Sequence, residues 1–141
     1  MENKLNISAL KKAAEAFNNA LAFNRKVEEK SADSQEFYEA EFARAAVIQH
    51  FEFTYELCWK TMKRYLIELS LEADILTHKD LFRLSAEKRL ITDFHQWVEF
   101  HKARNRTSHI YNEEIADDVY EIAKQFAGPL YDFITVIEQR I

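Results

Sequence analysis

The sequence predicts an all-α fold of the bundle type, and three observations carry that expectation. One glycine and one proline occur in 141 residues, against average usage of about 7% and 5%. Tight turns and hairpins consume both, so a β-rich architecture is excluded. The remaining composition is rich in Ala, Glu, Lys, Leu, Arg and aromatics, a helix-forming mixture with material for a core. Apolar residues also recur at helical spacing along most of the chain. The length suits a single domain over 1–141, large enough to bury a real core.

The elements follow in order. Ser8 or Asn6 can cap a first helix carrying Leu10, Ala14, Phe17 and Leu21 on one face, fading near Lys30. Ser31-Ala32-Asp33-Ser34 reads as a turn, with Asp33 or Ser34 capping the next helix. That second helix, roughly 35–70, places Phe37, Ala45, Ile48, Tyr55, Trp59, Met62, Leu66 and Leu69 on a stripe, which Phe42, Phe51, Leu57, Cys58 and Tyr65 widen. It would span about 50 Å, and so broad an apolar face needs several neighbours, favouring a bundle over a coiled coil. A short helix from about Lys79 to Leu90 is anchored by Leu81, Phe82 and Leu84. Asp93 and Gln96 form a capping box that starts a helix through Trp97, Val98 and His101 to about Arg106. Asn112 caps the last helix, whose first turns hold Glu113, Glu114, Asp117 and Asp118, where the helix dipole favours negative charge. Its stripe is Ile115, Val119, Ile122, Phe126, Leu130, Phe133 and Ile137. Gly128-Pro129 predicts a kink in it without a change of register.

A net charge of −5 argues against a general nucleic-acid binder, but the charge is unevenly spread. Residues 79–109 carry seven Lys/Arg against four acids, whereas residues 110–141 carry two against seven. A local anion site is therefore compatible with an acidic protein. Cys58 stands alone in an aromatic helical run and reads as a small buried apolar residue. The N-terminus lacks a signal-peptide core and no apolar run reaches about 18 residues; the expectation is a cytoplasmic protein with no membrane attachment.

The densest chemistry lies in Arg104-Asn105-Arg106-Thr107-Ser108-His109-Ile110-Tyr111, at the join of two expected helices. Arginine grips phosphate oxygens with a planar fork, and histidine exchanges protons near neutral pH. Nucleotides or RNA are the leading ligand class. Arg104 shares a stripe with Trp97 and His101, so it faces inward or along a cleft, a costly place for a charge without an anionic partner. Arg104 and His109, five residues apart, would diverge on a continuous helix and converge only if the backbone leaves helical geometry near Thr107 or Ser108. The plainer alternative is that Arg104 pairs with an acid, His109 fills a turn and Tyr111 is a core aromatic.

These residues match Arg-x4-His-x-Tyr, and here the chain resembles the HEPN superfamily, its HepT-like toxins in particular. Phe51-Glu52-Phe53-Thr54-Tyr55-Glu56-Leu57-Cys58-Trp59-Lys60 and Trp97-Val98-Glu99-Phe100 are similar to the nucleotidyltransferase substrate-binding proteins of that superfamily. The resemblance covers roughly 5–140. It implies an up-and-down four-helix bundle with a short extra helix, forming a homodimer. It also implies a separate small nucleotidyltransferase as partner, the two together making a heterotetramer. In that arrangement the bundle is similar to the substrate-binding domain of kanamycin nucleotidyltransferase. In the toxin branch the bundle is a metal-independent ribonuclease, and the partner silences it by transferring AMP to the motif's tyrosine, here Tyr111.

On that reading Arg104 and His109 are catalytic, the arginine clamping phosphate and the histidine moving a proton. Asn105 adds a polar contact to substrate, and His101, one turn before Arg104, stands behind them. One chain supplies one motif histidine, so two copies across a two-fold would supply an acid and a base. No cofactor and no metal is expected: no Glu-x-x-His pair or His-Glu-x-x-His motif occurs. His50, His78 and His95 read as surface or cap-proximal, and Phe42, Phe51, Tyr55 and Trp59 as core before base-stacking. Two other functions stay open: a non-catalytic subunit presenting a nucleotide or other substrate to the partner enzyme, and an assembly module.

Overall fold

A computed structural model describes residues 5–30, 34–69 and 73–141. Among them the ordered elements are helical: α1 (Ser8–Glu28), α2 (Ser34–Glu68), α3 (His78–Glu87), α4 (Phe94–Asn105), α5 (Glu113–Lys124) and α6 (Ala127–Arg140), with short 3-10 turns at Ala73–Ile75 and Thr107–His109. Four rods, α1, α2, α4 and the α5–α6 pair, make an up-and-down bundle, and α3 is the short extra helix packed on α2 and α4.

The local signals explain the helix starts. Asn6 Oδ1 accepts from the Ser8 backbone N–H at 2.9 Å. Thr77 Oγ1 accepts from Asp80 N–H, Asp93 Oδ1 from Gln96 N–H and Asn112 Oδ1 from Ile115 N–H, each satisfying an amide that has no partner inside its helix. The expected cap at Asp33 lies outside the described residues, as does the side chain of Phe37. Where α3 ends, Arg89 adopts φ 62°, and the Leu90 N–H reaches back to Ser85 C=O at 2.8 Å. The guanidinium of Arg140 donates to the carbonyls of Lys88 and Arg89, tying the end of the chain to this turn.

The core is aromatic. Phe126 lies edge-on to Phe17, Phe51, Trp97 and Phe100 with ring centroids 5.0–5.6 Å apart, a preferred geometry for ring pairs. This residue sits at a break. The last rod is not one kinked helix: α5 stops at Lys124 and α6 restarts at Ala127. Pro129 has no N–H to donate to Gln125 C=O, and its ring crowds that carbonyl, so the discontinuity falls one turn before the proline. The buried stripe Val119, Ala123, Phe126, Leu130, Phe133 and Ile137 runs through it.

The face of α2 also differs from expectation in three places. Its buried line is Ala43, Val47, Phe51, Tyr55, Cys58, Met62 and Leu66, whereas Phe42 is 72% exposed and Ala45 also faces out. At about 100° per residue these two fall on the side opposite that line, where Phe53 is exposed as well. Leu69 lies past the helix end and is half exposed.

Candidate functional site

The chain does leave helical geometry where the motif requires it. α4 ends at Asn105, and three successive i→i+3 bonds follow: Arg106 N–H to Ala103 C=O, His109 N–H to Arg106 C=O and Asn112 N–H to His109 C=O. These tighten the connection into a 3-10 turn before α5 begins.

Arg104, in the last turn of α4, is about one-third exposed and faces α2. Its Nε donates to Glu56 Oε2 at 2.6 Å, and its Nη1 lies 3.5 Å from Glu52 Oε2. Thr107 Oγ1 stands 3.0 Å from the same Glu52 oxygen and 2.8 Å from the Arg104 carbonyl, so one hydroxyl proton serves two acceptors. The arginine therefore has the anionic partners its position demands, and they come from one face of α2. The neighbouring Arg106 pairs with Asp118 at the surface.

His109 and Tyr111 lie on the solvent side of the turn. Tyr111 is 85% exposed, which rules out a core role. Its hydroxyl stands 3.5 Å from His109 Nδ1, with ring centroids 5.9 Å apart. Asn105 is exposed. The structure thus brings His109 to Tyr111, and Arg104 to Glu52, Glu56 and Thr107. Among the described residues no hydrogen bond or ring contact joins Arg104 to His109.

A second group stands behind Arg104. His101 Nδ1 meets the Tyr55 hydroxyl at 2.7 Å, and its ring stacks on His78 with centroids 4.1 Å apart. Trp59 packs edge-on against His78 at 4.5 Å. Burial holds both histidines below the ordinary imidazole value; the neighbouring His78 ring lowers His101 further, and Glu56 opposes the effect on each. A neutral His101 with its ring proton on Nε2 accepts the Tyr55 hydroxyl proton at Nδ1, and the other neutral tautomer reverses the direction. Burial pushes the Tyr55 hydroxyl far up, so it stays protonated. His78 is cap-proximal as expected, at the start of α3, yet it is partly buried in this stack.

A cavity of about 610 Å³ opens beside the motif between α1, α2 and α5, with Tyr111, Glu28, Arg44, Asp117 and Tyr120 on its wall. Buried Asn24 donates to the Tyr120 hydroxyl, which in turn donates to Glu28 at 2.8 Å, and Arg44 pairs with Asp117 at 2.6 Å. Among the described residues no group of three or more His, Cys, Asp or Glu is arranged to hold a metal ion, and no helix is long and apolar enough to cross a membrane.

Sequence reasoning found the turn, its caps and the motif. It missed Glu52, Glu56 and Thr107 as partners of Arg104, and Tyr55 and His78 as partners of His101. One signal was available: Glu52 and Glu56 are four apart, so they share a face inside an aromatic helical run.

Known proteins share this architecture. In solved structures, a Haemophilus influenzae protein described as having the fold of a substrate binding domain of a nucleotidyltransferase superposes with TM-score 0.81 at 27% identity, over 94% of this chain and 99% of that one. A Thermus thermophilus protein superposes with TM-score 0.61 at 25% identity, over 86% and 98% of the two chains. In sequence, a Haemophilus influenzae protein named "Probable ribonuclease HepT" is 42% identical over 79 residues, which span 54% of each chain, about half the length of that relative. The family model for nucleotidyltransferase substrate binding protein-like chains matches residues 5–139, and this protein belongs to that family.

Proposed function

We propose that this chain is the ribonuclease subunit of a two-component system, partnered and silenced by a separate small nucleotidyltransferase. The observation that carries the reading is the turn itself. It interrupts the helix between Arg104 and His109 and leaves His109 and Tyr111 side by side in solvent. The 42% identity to a probable ribonuclease supports it over about half the chain.

Cleavage needs no metal on this route. A base takes the proton of a ribose 2′-hydroxyl, the oxygen attacks its own phosphorus, and the P–O5′ bond breaks. An acid then protonates the leaving oxygen, giving a 2′,3′-cyclic phosphate and a free 5′-hydroxyl. His109 is the proton-transfer group, Arg104 the group that stabilises charge on phosphorus and Asn105 an added polar contact. A homodimer would bring a second His109, so that one acts as base and the other as acid. The exposed Phe42 and Phe53 on the outer face of α2 supply apolar surface for such a contact. Two copies with two nucleotidyltransferase chains would make the heterotetramer. Silencing follows when the Tyr111 hydroxyl attacks the α-phosphorus of ATP and pyrophosphate leaves. The AMP added beside His109 brings bulk and negative charge where substrate phosphate must sit.

Two measurements test this. The purified protein should cleave RNA in EDTA, and His109→Ala should abolish cleavage without altering the helical circular dichroism; cleavage by the mutant at the wild-type rate removes the mechanism. Incubation with the nucleotidyltransferase and ATP should add whole AMP units, and Tyr111→Phe should block the addition. A second reading is favoured by the cavity at Tyr111: a non-catalytic subunit that holds an acceptor substrate for the partner enzyme. Absence of RNA cleavage, with transfer of a nucleotide to a small molecule, would select it.

A further inference from the structure

Resting on the ribonuclease reading, we infer that Glu52 and Glu56 are positioning residues for Arg104, setting the direction of its guanidinium while lowering the site's affinity for phosphate.

The geometry is specific. A guanidinium offers five N–H donors in a rigid plane. Glu56 takes the Nε donor at 2.6 Å, and Glu52 lies along the Nη1 side at 3.5 Å. The guanidinium is thereby held against α2, and the two Nη2 donors, one beside Nε and one beside Nη1, remain without a partner among the described contacts and are open to phosphate oxygens. Thr107 completes the frame. Through Glu52 it ties the first residue of the 3-10 turn to the same carboxylate that faces the arginine. A long side chain with about 2 kcal/mol of rotamer entropy would otherwise have to be ordered by the substrate.

The same arrangement works against binding. Two carboxylates face one guanidinium, so the group carries a net charge of −1 with both acids only about 30% exposed. An incoming phosphate meets that excess at short range and partly shielded from water. Removing one carboxylate charge should strengthen anion binding by at least about 3- to 10-fold, the effect of unit charges about 3–6 Å apart at the dielectric of bulk water. Accurate aim is therefore obtained at the expense of affinity.

The test uses the full-length protein and a fluorescein-labelled single-stranded oligoribonucleotide. Glu56→Gln retains an oxygen to accept from Nε but loses the charge, and Glu52→Gln does the same at the second acid. Each should lower KM and the anisotropy Kd by at least about 3- to 10-fold while lowering kcat. Glu56→Ala, which also loses the acceptor, should lower kcat further, and Glu56→Gln should rescue part of that loss. A merely structural role would lower kcat without tightening RNA binding. The ¹H–¹⁵N signal of Arg104 Nε supplies a readout independent of cleavage. It should be shifted and protected from exchange in the wild type, retained in Glu56→Gln and lost in Glu56→Ala. If the wild type cleaves no RNA, the ribonuclease reading falls, and the anisotropy and NMR arms still decide the positioning. Glutamine variants with unchanged KM and kcat, weaker RNA binding in both, or a wild-type Nε–H that exchanges freely would each overturn the inference.

Discussion

Replacing Tyr55 with phenylalanine would remove a single oxygen from the centre of the bundle. The ring is fully buried and packs near Phe51, Phe82 and Trp97 at centroid distances of 6.1–6.5 Å, contacts that phenylalanine retains. Only the 2.7 Å bond to His101 Nδ1 is lost. A hydrogen bond in a folded protein contributes about 1 kcal/mol net, and an orphaned buried acceptor can cost about 1–3 kcal/mol. His101 is only partly buried, so water can recover some of the loss, and the expected cost of Tyr55→Phe is about 1–1.5 kcal/mol. For a chain of this size that lowers Tm by about 3–6 °C. Urea unfolding should move to a lower midpoint with an unchanged slope. NMR titration supplies a second reading. With the tyrosine hydroxyl as donor, the bond exists only to the neutral imidazole, so without it His101 should titrate at higher pH than in the wild type. Stability within about 0.3 kcal/mol of the parent, together with an unmoved His101 titration, would refute the bond and the hydroxyl's role as its donor.

Three further outcomes are expected. Phe126→Ala deletes the ring where four others converge; it should cost about 4 kcal/mol and lower Tm by more than about 10 °C, read by thermal denaturation. Arg89→Gly relieves a left-handed backbone at φ 62°; the relief of about 1–2 kcal/mol, offset by the added freedom of glycine in the unfolded chain, should leave a gain of about 0.5 kcal/mol in urea unfolding. The third concerns pH. His78 and His101 titrate below 6.5 in the folded state, chiefly because they are buried. The unfolded chain thus takes up protons first as pH falls. Their stabilising contribution is complete above pH 6.5 and is lost as pH drops through their depressed folded values. Unfolding midpoints measured from about pH 8 to about pH 5 should fall, and His101→Gln should flatten the fall.

Much of the fold was legible because its signals are local. Asp93 and Asn112 cap helices, and Asn6 just ahead of α1 holds the Ser8 amide, through side-chain oxygens that reach amides two or three residues ahead. Such reach needs no knowledge of the rest of the chain. The Pro129 effect was half legible: a proline disturbs the helix one turn upstream, but whether the rod bends or breaks depends on what packs there. Phe126, seated among four rings, holds the broken form. The exposure of Phe42 was not legible, since side-chain type alone does not tell a helix which of two apolar faces its neighbours will cover.

The sequence by itself determined that the protein is helical, where most of its helices start, and that an arginine, a histidine and a tyrosine cluster at a break between two of them. Only the tertiary structure decided that Arg104 turns toward Glu52 and Glu56, that His101 rests against Tyr55 and His78, and that His109 and Tyr111 stand in solvent. The partners of Arg104 lie 48 and 52 positions away along the chain, and those of His101 are 46 and 23 away. Helical periodicity assigns a residue to a face of its own rod. Which charges and rings meet that face is set by the packing of α2, α3 and α4 around a shared core.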